Sequence, residues 1–208
     1  MGIKPVNPIV FYSYPISGHA HRVELLLRML DLPFKKVDID LRKGEQKTPE
    51  FLALNPFGMV PVIEDSGTVI WDSAAILVYL SHKYDDGRFL PTDPIGASEV
   101  QKWLAIAAGP IASGPALARA MLLFNRPGDL AQAQSIAQGL FGVMNQYLAT
   151  HRYLAVDRLT IADLAAYTYI AHAPEGGIAL SEYPNLRPWL SRIEHASSFV
   201  PMPASKVG

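Results

Sequence analysis

Two short motifs in the first third of the chain have the residue types of a binding site. Val60-Pro61 directly precedes the apolar pair Val62-Ile63, and Asp72-Ser73 opens a segment with helical periodicity. Proline has no N–H to donate, so the backbone groups beside it stay free to pair with a ligand. A helix N-terminus with small polar residues offers unpaired N–H groups and a partial positive charge to an anion. The spacing therefore predicts a backbone-pairing edge beside an anion-binding helix end.

Each motif also has an ordinary structural interpretation. Only about 5–6% of X-Pro bonds in folded proteins are cis, so Val60-Pro61 by itself would be expected to be trans. Asp72-Ser73 by itself is a common helix cap. Gln46 and Lys47, in an earlier loop, are by themselves typical surface residues. The binding interpretation depends on these motifs occurring together and in this order.

A serine and two histidines lie at the start of the first predicted helix. On its pattern alone Ser17 is an N-cap serine, and His19 is a surface histidine on the first turn. His19 and His21 are two residues apart, so they do not face each other on a helix. The other histidines are scattered along the chain. We therefore expect no metal site.

The first 84 residues have the pattern of alternating strands and helices. Short apolar runs and period-two alternation predict strands, and apolar residues at i, i+3, i+4 and i+7 predict the first helix. Thr48 followed by Pro49 predicts the start of a short second helix. The predicted order is βαβαββα, with strands at residues 9–12, 37–41, 62–63 and 69–71 and helices at 18–30, 48–54 and 73–84. The first strand–helix–strand unit implies a parallel strand pair.

The rest of the chain has helical periodicity after a segment rich in turn residues. Two Gly-Pro pairs are expected to kink or break the first of these helices. A capping box with Asp in place of Glu or Gln opens a later helix at Thr160-Ile161-Ala162-Asp163. The predicted architecture is an α/β domain of residues 1–84, a linker of residues 85–94 and an all-α domain of residues 95–208.

Composition excludes several classes of function. The 18 Lys+Arg and 19 Asp+Glu residues give a net charge of -1 without long charged runs, so neither nucleic acid nor an anionic membrane is expected as a partner. The chain has no cysteine, which excludes a protein thiol nucleophile. The longest uncharged stretch, residues 103–118, is shorter than the roughly 20 residues of a membrane span. With no secretory signal pattern at the N-terminus, we expect a cytoplasmic protein.

Taken in order, these motifs resemble the glutathione S-transferase superfamily over nearly the whole chain. The order βαβαββα is similar to the thioredoxin-like fold of that family, and Val60-Pro61 stands where the family has a cis-proline. Asp72-Ser73 stands where the family has an acidic residue and a serine. Thr160-Ile161-Ala162-Asp163 and the segment Tyr183–Ile193 resemble the family's capping motif and last helix. The resemblance implies a thioredoxin-like glutathione-binding domain followed by a helical domain.

The segment 15–23 resembles the serine-type transferases. Bacterial members are similar overall, and the phi class is similar again at residues 44–47 and 55–58. The resemblance implies that Ser17 is catalytic, with its hydroxyl facing the glutathione sulfur, and it makes His19 a second candidate for the sulfur environment. The implied glutathione contacts are Gln46 and Lys47 at the glycine end, Val60 and Pro61 at the cysteinyl backbone, Asp72 at the γ-glutamyl amine and Ser73 at the γ-glutamyl carboxylate. Met59 is a further implied contact and stands where the family commonly has Gln or Lys, and Asp72 replaces a more frequent Glu.

The acceptor for the thiolate would need an apolar pocket beside the sulfur. Tyr14 and Ile16 flank Ser17 and are candidates for one wall, and Trp103 and Ile111 for the other, although each also suits a protein core. Phe57 either inserts into a partner subunit or packs within its own chain. The resemblance implies a homodimeric glutathione transferase that conjugates glutathione to a small apolar electrophile. The alternatives are a non-catalytic binding or scaffold protein of the same fold and a glutathione-dependent peroxidase.

Overall fold

The computed structural model describes residues 4–205, so the outermost residues of both predicted domains lie outside it. A four-stranded mixed sheet in the order β2-β1-β3-β4 forms the first half. Strands β1 and β2 are parallel, β3 is antiparallel to β1, and β4 is antiparallel to β3. The strands are β1 (Ile9–Ser13), β2 (Phe34–Asp38), β3 (Val62–Asp65) and β4 (Thr68–Trp71). The predicted thioredoxin-like order and the parallel pair are both confirmed.

Helices cover both faces of this sheet. They are α1 (Gly18–Met29), α2 (Pro49–Leu54) and α3 (Ser73–Tyr84). Successive residues of β1 point to opposite faces: Ile9 and Phe11 enter the main core with α1 and α3. Tyr12 packs against a second, smaller cluster that includes Phe51 of α2. As predicted, Thr48 caps α2, with its hydroxyl accepting from the Phe51 N–H at 3.4 Å.

Strand β2 differs from the prediction in its bounds. The alternation of residues 37–41 predicted a strand there, but β2 ends at Asp38. Its length is set by the parallel register with β1, which has only five residues to pair. Ile39 and Leu41 lie beyond the strand and pack on the smaller cluster below the sheet. The Ile39 N–H still donates to the Ser13 carbonyl at 2.8 Å, and beyond this bond the alternation reflects burial against that cluster and not strand pairing.

The second half is helical and begins with a long, nearly continuous helical stretch. Its first part is α4 (Pro94–Ile106) and its last part is α5 (Leu117–Phe124). A π-helical segment, Ala107–Ala116, joins them and contains both Gly-Pro pairs. Pro110 and Pro115 cannot donate to the α-helical ladder, and the chain winds wider there and does not break. Residues 94–124 are long and apolar enough to span a bilayer, a property that a buried core helix of a folded domain shares.

The remaining helices close the domain around a nearly wholly buried helix. They are α6 (Leu130–Tyr147), α7 (Ile161–Ala171) and α8 (Leu186–Glu194). The predicted capping box at Thr160 and Asp163 opens α7. The buried Asp163 carboxylate also accepts from the Trp189 indole N–H of α8 at 3.0 Å. Helix α7 packs against α1 of the first half, and this contact positions the candidate site.

Candidate active site

Two adjoining cavities lie beside the N-terminal ends of α1 and α3 and the segment that leads into β3. The first has a volume of ≈ 270 Å³ and includes Asp72 and Ser73 in its wall. The second has a volume of ≈ 320 Å³ and includes Ser17. His19, Met59 and Val60 line both cavities. Ser17 and the Asp72-Ser73 pair are far apart in the sequence, but they line two cavities that share part of their walls.

The point where the cavities meet is formed by the backbone before β3. The Val60–Pro61 peptide bond is cis, as the resemblance implies. Within residues 4–205 the Val60 N–H and C=O make no hydrogen bond, and Pro61 has no N–H. An extended peptide backbone laid along Val60 would therefore find a free donor and a free acceptor.

The N-terminus of α3 forms the polar end of the first cavity. Asp72 adopts a positive φ of 70°, which is uncommon for a residue other than glycine. Its carboxylate accepts from the N–H groups of Ala74 at 2.9 Å and Ala75 at 3.1 Å. This capping does not occupy the N–H of Ser73. The Ser73 N–H therefore stays available at the positive end of a 12-residue helix, and the Ser73 hydroxyl lies within hydrogen-bond distance of the His19 and Arg22 side chains.

Ser17 is the N-cap of α1, and its hydroxyl oxygen accepts from the Ala20 N–H at 3.2 Å. The capping interpretation and the catalytic one are therefore compatible. Because the oxygen uses only a lone pair for the cap, its own O–H is free to donate into the second cavity. An anion there would meet this donor and the N-terminal end of α1 together.

The segment that carries Ser17 is held in place by the helical domain. The Arg119 guanidinium of α5 donates to the Ile16 carbonyl at 3.0 Å and pairs with Glu175 at 2.5 Å. Tyr169 of α7 packs directly on Gly18, where an added Cβ would lie 2.7 Å from the ring. The position of Ser17 therefore depends on contacts from both halves of the chain.

His19 faces Ser73 and not Ser17. Its Nδ1 lies 3.3 Å from the Ser73 hydroxyl oxygen, and its ring meets the Tyr169 ring edge-on at a centroid distance of 5.0 Å. Burial, helped by the nearby Arg22 charge, lowers the pKa of His19 to about 3. At neutral pH this imidazole carries no charge, so it contributes hydrogen bonding but not a cation to the site.

The candidate residues at the predicted glycine end differ in position. Gln46 lines the second cavity, and its buried Oε1 has no hydrogen-bond partner within the described chain. Lys47 lines neither cavity; its ammonium donates to the Phe57 carbonyl at 3.1 Å. Met59, 57% exposed, is part of the wall of both.

The apolar wall of the second cavity corrects one expectation. Tyr14 and Ile16 line it as expected, but Trp103 and Ile111 are buried in the core away from it. The helical domain instead contributes residues beyond the second Gly-Pro pair, among them Ala116, Ala120, Phe124, Arg119, Arg126 and Tyr169. Their signal in the sequence is the i, i+4, i+8 spacing of Ala116, Ala120 and Phe124.

The fold and the paired cavities define a two-domain protein, with a thioredoxin-like domain, a helical domain and a candidate site between them. The family model for the glutathione S-transferase N-terminal domain matches residues 16–83, and that for the C-terminal domain matches residues 115–196. Glutathione S-transferase 3 of Zea mays is 32% identical over 206 residues, covering 92% of this chain and 91% of its own. The chain therefore belongs to the glutathione S-transferase family and is a transferase enzyme.

Solved structures are similar over the same extent. A glutathione S-transferase from Pseudomonas fluorescens aligns with a TM-score of 0.89 and 32% identity, covering 94% of this chain and 99% of its own. A glutathione transferase homologue from Drosophila mojavensis, solved with bound glutathione, aligns with a TM-score of 0.83 and 26% identity. That alignment covers 91% of this chain and 89% of the homologue.

Proposed function

We propose that the paired cavities bind glutathione and that its thiolate attacks an apolar electrophile in the second cavity. The observation that carries this proposal is the meeting of the two cavities at Val60, with Asp72 and Ser73 on one side and Ser17 on the other. A tripeptide whose cysteinyl backbone pairs with Val60 would place its N-terminal end in the first cavity and its cysteine side chain in the second. Glutathione has a charged γ-glutamyl end and a reactive thiol to fill them.

At the γ-glutamyl end, the carboxylate would accept from the Ser73 amide and hydroxyl. The ligand's amine would pair with the Asp72 carboxylate, since only one of its oxygens caps α3. At the glycine end, Gln46 would donate from its Nε2 group, because its unpartnered Oε1 is buried. Lys47 lines neither cavity, so its ammonium, which keeps free donors beside its bond to the Phe57 carbonyl, would have to turn toward the ligand. The contacts of the Val60 main chain would fix the register between the two ends.

Ser17 would act by stabilising the thiolate. A thiol like that of free cysteine has a pKa of about 8.5, so little of it is the nucleophilic thiolate at neutral pH. Lowering that pKa by about two units requires roughly 2.7 kcal/mol of preference for the charged form. One charge-assisted hydrogen bond of roughly 1.5–3 kcal/mol together with a helix terminus of roughly 0.3–1 kcal/mol is sufficient. No general base is needed.

The electrophile would lie against the apolar wall formed by Tyr14, Ile16, Ala116, Ala120 and Phe124. In the reaction, the sulfur lone pair forms a carbon–sulfur bond, and the acceptor releases a leaving group such as chloride. The proton of the thiol has already left to solvent. In the alternative peroxidase reaction, the thiolate would attack the outer oxygen of a hydroperoxide and release the alcohol, and a second glutathione would convert the resulting sulfenic acid to the disulfide and water.

A homodimer would bury an apolar patch beside the first cavity. Phe57 is 59% exposed and packs against Trp71 of its own chain, with ring centroids 5.2 Å apart. Met59, which lines the same cavity as Phe57 and Trp71, is exposed, and so is Val69 of β4. Packing within the chain therefore leaves most of the Phe57 ring available to a second subunit.

Calorimetric titration with glutathione, followed by an acceptor panel, tests the proposed function. We expect saturable one-site binding below millimolar concentration and turnover of a chloro-dinitrobenzene. A hydroperoxide assayed in parallel distinguishes conjugation from peroxidase activity. Absence of heat at millimolar glutathione, with the protein folded by circular dichroism, would contradict the proposal and favour the scaffold alternative.

Restoring a polar side chain at position 59 is expected to tighten glutathione binding. Met59→Gln should lower the dissociation constant by about 2- to 10-fold, the value of one net hydrogen bond to a ligand backbone. Titration calorimetry measures the change, and Met59→Leu, which keeps the apolar side chain, serves as the control. If the Gln and Leu variants bind glutathione equally, Met59 does not limit affinity.

A further inference from the structure

Arg22 is a buried cation that lies one layer behind the wall of the first cavity. It is on α1 and only 2% exposed. Its Nη1 donates to the Ser73 hydroxyl oxygen at 3.3 Å, and its guanidinium lies over the Tyr169 ring, 5.6 Å from the centroid. Its Nε and Nη2 are buried and have no hydrogen-bond partner within residues 4–205.

The charge of Arg22 is also incompletely neutralised. Within the described chain no carboxylate oxygen lies within 4.0 Å of the guanidinium, whereas the similarly buried Arg119 is paired with Glu175. Asp72 acts on Arg22 only as a more distant charge. Burying an unpaired cation costs free energy, and such a group is expected where a bound anion neutralises its charge. The guanidinium points at the N-terminus of α3, which is itself anion-binding.

We propose that Arg22 is a positioning residue for the carboxylate of the γ-glutamyl group, an inference that rests on the proposed binding of glutathione. Guanidinium has no lone pair, so Ser73 must be the acceptor in their hydrogen bond. The Ser73 hydrogen is therefore directed away from Arg22, toward His19 Nδ1 or the cavity. An arriving carboxylate takes that hydrogen and supplies the negative charge that Arg22 lacks.

The action of Arg22 is indirect. Its two unpartnered nitrogens have no solvent access, so they do not touch a ligand in the first cavity. Arg22 instead acts through the orientation of Ser73 and through its charge beneath the helix end. Arg22 therefore affects the binding of one ligand group and not the reactivity of the sulfur. Loss of Arg22 should raise KM for glutathione and leave kcat at saturation unchanged.

A double comparison of protein and ligand tests this role. Glutathione and γ-aminobutyryl-cysteinyl-glycine, which lacks only the α-carboxylate of the γ-glutamyl group, are titrated into the wild type and Arg22→Met. We expect about 10-fold weaker glutathione binding by Arg22→Met, as for loss of a hydrogen bond to a charged group, and less than about 2-fold change for the analogue. Arg28→Met, on the same helix but exposed and paired with Glu24, should change neither.

Two further readouts separate positioning from a merely structural role. Arg22→Lys keeps the charge and should recover most of the affinity for glutathione. The Tm of unliganded Arg22→Met should equal or exceed that of the wild type, because an unpaired buried charge is replaced by an apolar chain of similar length. Equal weakening of both peptides, or a lower Tm with both weakened, overturns the role of Arg22. If the wild type binds neither peptide, the proposed function fails and the role of Arg22 with it.

Discussion

Ser17→Ala is expected to lower kcat/KM for conjugation by about 10-fold or more while leaving glutathione affinity largely unchanged. The hydroxyl would donate to the sulfur only when the sulfur is charged, so its loss removes a charge-assisted bond of roughly 1.5–3 kcal/mol. The pKa of the bound thiol should rise by about one to two units, at 1.36 kcal/mol per unit. Conjugation rates with a chloro-dinitrobenzene measured across pH would show the activity profile displaced to higher pH.

The same substitution removes the cap of α1, so a matched N-cap variant is needed to separate the loss of stability from the loss of activity. Loss of an N-cap hydroxyl typically costs about 0.5–2 kcal/mol. Asp93→Ala removes the N-cap of α4, where the carboxylate accepts from the Gly96 N–H at 2.8 Å, and Asp93 lines neither cavity. It should lower stability to a similar extent without changing the pH profile. An unchanged turnover and profile in Ser17→Ala would contradict the role of Ser17.

Acidification is expected to destabilise the fold through His21 by about 3 kcal/mol, at 1.36 kcal/mol per pKa unit. This ring is buried between α1, α7 and the C-terminal segment, with Nδ1 2.8 Å from the Thr168 hydroxyl and Nε2 2.8 Å from the Val200 carbonyl. Burial lowers the pKa of His21 from 6.5 to about 4, against a smaller raising effect of the Val200 carbonyl. The neutral ring is therefore the form that the fold selects.

The sign of the effect follows from this lowered pKa. The unfolded chain takes up the proton near pH 6.5, but the folded chain takes it up only near pH 4. The contribution of His21 is therefore complete above pH 6.5, falls as the pH drops and is lost below pH 4. Glu24 opposes the shift, whereas Lys36 and His172 add to it.

Urea unfolding at pH 7 and pH 4.5 measures this linkage. At pH 7, His21→Gln should be less stable than the wild type because it disturbs two buried hydrogen bonds. Between pH 7 and pH 4.5, however, its free energy of unfolding should fall by less than that of the wild type. His195→Gln, at an exposed position directly after α8, should have the same stability as the wild type at both pH values. The same pH dependence in His21→Gln and the wild type would show that other groups control acid unfolding.

Much of the fold was predictable because the local signals agree with the tertiary structure. Helix α3 begins and ends as predicted, since Asp72 caps it and its apolar face matches the helical period. The box at Thr160 and Asp163 likewise marks α7. The bounds of β2 were wrong because a partner strand, and not periodicity, decides where pairing stops. The division of the chain into domains at residues 85–94 stays a prediction.

Of the candidate site, the sequence by itself determined the residues whose motifs are local: a serine at one helix start, an Asp-Ser pair at another, and a valine before a proline. That these three meet is a property of the tertiary structure, because the sheet brings β1, β3 and α3 together. The tertiary structure alone decided which helical residues form the acceptor wall, since Trp103 and Ala116 both lie in segments with helical apolar patterns that also suit a protein core. It also decided that Arg22, an ordinary helix residue by pattern, is a buried charge that contacts Ser73. The burial and the contacts of a side chain depend on residues that are distant in the sequence, so a local sequence pattern cannot predict them.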